Sequence, residues 1–130
     1  MTTKGALLVG ILWLASMFPL RAHHSFAAEF DINSPVTVTG SVTKVEWMNP
    51  HVWFYIDVKA ESGAGATWGM EMGSPNALMR AGWMRTSMAI GEMVTVEGYR
   101  AKDGTTTANA RAVTLTRTGK RLFAASSAPK

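Results

Sequence analysis

Three histidines fall in two pointed places along the chain: the pair His23–His24, and His51 in Asn49-Pro50-His51. A cut after Ala22 would make His23 the first residue. A terminal histidine offers its α-amine and its imidazole together, which close on one metal ion in a planar bite. A second histidine from elsewhere completes a three-nitrogen set. Tetragonal nitrogen sites suit Cu(II), and copper tops the divalent affinity order. The expected metal ligands are therefore His23, through amine and imidazole, with His51 opposite and His24 as a substitute for either. A cut before Ala22 would instead make His24 third, which also chelates Cu(II), through the amine and backbone nitrogens. Imidazole binds only when neutral, so affinity should fall below about pH 6.5. The plainer alternative is a loose terminus and a His51 that hydrogen-bonds a turn.

A second donor set is soft. Trp68-Gly69-Met70-Glu71-Met72 places one indole and two thioethers on one side of an expected strand, and thioethers select Cu(I). The competing role for these methionines, and for Met79, Met84, Met88 and Met93, is core packing. Trp53 and Tyr55 share a strand face and form an expected ligand-binding surface, as stacking platforms do on small barrels. Catalysis has little support. There is no Ser–His–acid pattern, no phosphate loop and no pair of carboxylates at a useful spacing. Glu46, Asp57, Glu71, Glu92 and Glu97 scatter along strands, and their expected role is surface charge. With no cysteine, a disulfide framework, a thiolate metal site and a cysteine nucleophile are all excluded.

Residues before the histidine pair read as an address. Lys4 precedes 15 uncharged residues, Ala6 to Leu20, and Arg21-Ala22 follows. A basic start, an apolar stretch of this length and a small residue at its end describe a cleaved signal peptide over residues 1–22. A span needs about 20 apolar residues, so no stable membrane span is expected after cleavage. Cleavage removes Lys4 and Arg21 from the 13 basic residues and leaves 11 against 9 acidic, a net of +2. That balance makes no basic footprint for nucleic acid. The expected location is the periplasm or outside the cell, and the expected partner is a periplasmic protein or a small molecule.

The elements that must position these residues are mostly strands. The 130 residues support one domain. A lead-in is expected over residues 23–35, a barrel over 36–123 and a flexible tail over 124–130. Val36, Val38 and Val42 share one phase of the run Val36 to Trp47, whereas Val45 and Trp47 take the other. The flip near Lys44, after Gly40, predicts a bulge or strong bend. His51 to Lys59 alternates most clearly, with Val52, Phe54, Ile56 and Val58 as the core face. Thr67 to Met72, Met93 to Tyr99 and Thr107 to Thr116 complete five strands. Ser74 caps and Pro75 opens a short helix that ends near Gly82. Strand, strand, strand, short helix, strand, strand is the order of a five-stranded Greek-key barrel, the OB-fold. The fold class is all-β with one short helix.

The segments His23-His24-Ser25-Phe26, Glu46-Trp47-Met48-Asn49-Pro50-His51, Ser74-Pro75-Asn76 and Gly91-Glu92-Met93-Val94 resemble a family of small exported bacterial proteins that constitute a domain of unknown function. The resemblance covers the chain after residue 22 and implies export and a compact β-rich domain, with no activity attached. A weaker resemblance is to the periplasmic copper and silver chaperone CusF, an OB-fold that holds metal with a His, an M-x-M pair and a Trp. Trp68, Met70, Met72 and His51 supply the same residue types at a different spacing. The expected function is non-enzymatic copper binding, as chaperone or sequestering factor. The alternative is a metal-free ligand-binding or protein-interaction module that uses the Trp53/Tyr55 face.

Overall fold

The computed structural model describes residues 25–125. The expected leader, the pair His23–His24 and the last five residues of the expected tail lie outside the described residues. A single turn of helix, α1 (Phe26–Glu29), leads into β1 (Phe30–Glu46), β2 (Trp53–Lys59) and β3 (Gly65–Glu71). A short helix, α2 (Pro75–Arg80), precedes β4 (Met93–Ala101), β5 (Thr107–Leu115) and β6 (Arg121–Phe123).

The pairing order is β3-β2-β1-β4-β5-β6, and a parallel β3–β5 pairing closes five of the strands into a ring. This is the expected small OB-like barrel, with β6 added. β3 and β6 share one edge of β5: β3 pairs along Thr107–Asn109 and β6 along Ala112–Thr114. No helix among the described residues is long and apolar enough to cross a membrane.

β1 makes the closure. Its first half pairs with β4 and its second half with β2, and Ser41 pairs with both Met93 and Asp57. A Cβ on Gly40 would collide with the Asp57 carbonyl, so only glycine lets the strands approach this closely. The register then shifts between Val42 and Lys44. The extra residue, Thr43, swaps the two faces, which accounts for the phase flip in the sequence. β1 starts at Phe30 rather than Val36, because Phe30 pairs with Ala101 of β4 and is buried.

Val42, Val52, Phe54, Ile56, Met70, Met72, Val94, Val96 and Val113 fill the interior. α2 behaves as its sequence predicts. The Ser74 hydroxyl accepts from Ala77 N–H at 3.2 Å, Pro75 occupies the first turn, and Gly82 adopts φ +97° just beyond the helix. Leu78 of this helix and Trp83 and Met88 of the connector join the core. Trp83 Nε1 donates to the Phe123 carbonyl at 2.9 Å. Ala124 is buried and donates its N–H to the Arg111 carbonyl. Packing therefore continues past residue 123, where a tail was expected to begin.

Candidate functional site

Alternation puts a second row of side chains on the outside of the barrel. Phe54, Met70 and Ala108 point inward from β2, β3 and β5. Their neighbours Trp53, Glu71 and Asn109, which align across the same strands, point outward. His51 joins this outer row. The backbone pairing runs one step beyond β2 and β3, through Val52 N–H to Gly73 O at 3.0 Å and Met72 N–H to Val52 O at 2.8 Å. His51 and Trp53 therefore share a face, and His51 lies diagonally from Glu71, within reach of a long side chain.

His51 Nδ1 lies 3.0 Å from Glu71 Oε1. No hydrogen-bond partner holds Nε2 among the described residues. Glu71 was expected at the surface, yet it is only 7 % exposed, and Asn109 beside it is 3 % exposed. Burial, reinforced by the nearby Glu29 carboxylate and opposed by a hydrogen bond from Asn109, pushes the Glu71 carboxyl up to about 7. The 3.0 Å separation is an ion-pair distance, so the two groups face each other directly across the outer row.

The N-terminal turn brings the Glu29 carboxylate near enough to act on Glu71. Lys102 ties α1 to the β4–β5 loop: its N–H donates to the Glu29 carbonyl at 2.8 Å and its Nζ to the Ala27 carbonyl. Phe26 contacts the Phe30 and Tyr99 rings at 5.7 Å centroid distances. Between this turn and the barrel wall lies a cavity of about 510 Å³ lined by Glu29, Phe30, Trp53, Lys102 and Thr107. Nothing in the sequence around Glu71 signals that it is buried, since its strand neighbours Trp53 and Asn109 are distant in the chain.

The remaining expected site residues are distributed as follows. Met70 and Met72 are fully buried in the apolar core, and half-buried Trp68 carries the Arg100 guanidinium 5.5 Å above its ring. The thioethers thus serve as packing groups. Trp53 and Tyr55 share the outer face as expected, but only Trp53 lines the cavity. Tyr55 lies in a charged cluster, with Lys44 Nζ 5.4 Å from its ring centroid and its hydroxyl donating to Glu46 Oε2 at 3.4 Å. The described residues contain no group of three or more His, Asp or Glu side chains gathered around a metal position.

The family of unknown function DUF6152 matches residues 12–111. The chain belongs to this family. No curated protein and no solved structure matches the chain. Family membership attaches no activity, so the functional reading rests on the outer row itself.

Proposed function

We propose that this is an exported, non-enzymatic copper-binding protein, a chaperone or sequestering factor that holds Cu(II) with nitrogen ligands. His23 would supply the α-amine and an imidazole, and His51 a second imidazole. Export and removal of residues 1–22 are part of this reading. The observation that carries it is the His51–Glu71 contact at 3.0 Å. Metal-binding histidines commonly donate one ring N–H to a carboxylate, which sets the tautomer and leaves the other nitrogen's lone pair for the metal. With Oε1 3.0 Å from Nδ1, Glu71 would serve His51 in this way and leave Nε2 for the metal. The docking of α1 adds support. Phe26–Glu29, which follows His24 closely in the sequence, is tied to the barrel through Lys102, and its Glu29 carboxylate acts on Glu71.

The test is a Cu(II) titration of the protein beginning at His23, beside a version with one extra N-terminal glycine. The extension keeps every imidazole and displaces the amine. Tight one-to-one binding that is lost on extension, and lost again in His51→Ala, supports the site. Equal and weak binding by all three proteins overturns it.

A second reading has its own observation. The cavity beside Trp53 is of a size that takes a small molecule. A metal-free ligand module would lose binding in Trp53→Ala and keep it in His51→Ala, the reverse of the copper reading.

A further inference from the structure

A second cleft opens on the outer face of β1, β4, β5 and β6. It holds about 370 Å³ and its lining includes Pro35, Glu97, Tyr99, Arg111, Arg121 and Phe123. A bulge shapes it. Glu97 pairs with Ala112 and Gly98 with Ala110, so Arg111 is the extra residue of β5. Bulges re-aim side chains, and here the guanidinium is turned over Tyr99, 5.4 Å from its ring centroid. Gly98 allows the tight crossing, because a Cβ there would run into the Asn109 carbonyl.

Arg111 is unusual among the cations. It is half-buried, and no carboxylate lies within ion-pair distance of it among the described residues. Nη1 donates to the Tyr99 hydroxyl at 2.7 Å, and Nε is buried with no acceptor. Arg121, by contrast, is neutralised by Glu97 at 3.0 Å. A partly buried, unpaired guanidinium is costly unless an anion joins it. The Tyr99 hydroxyl accepts from Arg111, and its own proton remains available to donate. Beside this polar corner, Pro35 and the 47 % exposed Phe123 provide an apolar wall.

We propose that this cleft binds a small organic anion, with its carboxylate or phosphate on Arg111 and the Tyr99 hydroxyl and its apolar body against Pro35 and Phe123. Guanidinium geometry suits both head groups, and the volume falls in the range of small-ligand sites. The inference does not depend on copper.

The test is NMR titration of the metal-free protein with benzoate, phenyl phosphate and neutral benzamide. The Arg111 Nε–H and Phe123 ring resonances should shift saturably with one or both anions and stay fixed with benzamide. The stronger of the two anions identifies the head group. Arg111→Gln should weaken binding about tenfold or more, and Phe123→Ala, at an exposed position, several-fold. If Arg111→Gln loses the fold, Arg111→Lys, which keeps the charge but not the fork, should weaken binding with an unchanged melting temperature. The proposal is overturned by no saturation up to about 10 mM, by benzamide binding equally well, or by undiminished binding in whichever Arg111 variant is folded.

Discussion

The inner and outer rows of β2, β3 and β5 lie one residue apart on the same backbone, yet they carry different duties. Inside, Phe54, Met70 and Ala108 lose all contact with water against other apolar groups. That burial is favourable by itself, at about 25 cal/mol per Å² of apolar surface. Outside, Glu71 and Asn109 are nearly as buried, with the Glu29 carboxylate of the N-terminal turn close enough to act on Glu71. Burial there carries a penalty that hydrogen bonds only partly offset, and the raised pKa of Glu71 expresses it. The contrast teaches that low exposure alone does not make a core. The interior row stabilises the barrel, whereas the outer row retains an ionisable group at some expense to stability, the usual condition of a site.

Breaking the interior row should have the largest effect. Phe54→Ala is expected to cost about 3–5 kcal/mol, with little dependence on pH between 5 and 8, read by urea unfolding. The outer row should respond in the opposite sense. The folded protein holds the Glu71 proton more tightly than the unfolded chain does. The penalty is therefore absent below the ordinary value of 4.5, grows as pH rises to about 7, and levels off above that. Glu71→Gln should thus stabilise the metal-free protein by up to about 3 kcal/mol at pH 8 and by little at pH 4.5. Equal gains at both pH values would show that burial does not raise the Glu71 pKa.

Gly40→Ala tests the corner that lets β1 serve both halves of the ring. The Cβ meets backbone rather than a flexible side chain, so a loss of about 1–3 kcal/mol is expected in thermal melts. The smallest effect should be that of Tyr55→Phe. Its hydroxyl bond is long, at 3.4 Å, and lies in the outer charged cluster, so stability should stay within about 0.5 kcal/mol of the parent. A larger loss would mean that the outer face is knit together well beyond Glu71 and Asn109.

Much of the fold was legible because it is written in local patterns. The alternation of Val52, Phe54 and Ile56 names the core face of β2, the phase flip between Val42 and Val45 marks the bulge, and Ser74-Pro75 opens α2. Of the candidate site, His51 stood out by type and position, and Trp53 by its face. Glu71 did not stand out, since a Glu between two strand methionines reads as an exposed acid on the solvent side. Arg111 was equally silent. Its bulge lies within Thr107 to Thr116, where the apolar pattern does not mark an extra residue.

The sequence by itself determined the strand order, the barrel class and the inward faces, because periodicity and turn chemistry act over a few residues at a time. Only the tertiary structure decided which outward residues are buried. That depends on how the β2–β3 pairing and the parallel β3–β5 contact align Glu71 with Trp53 and Asn109. These contacts join residues far apart in the chain, so no local pattern encodes them. The desolvation that raises the Glu71 pKa, and the absence of an acid beside Arg111, exist only once that closure is made.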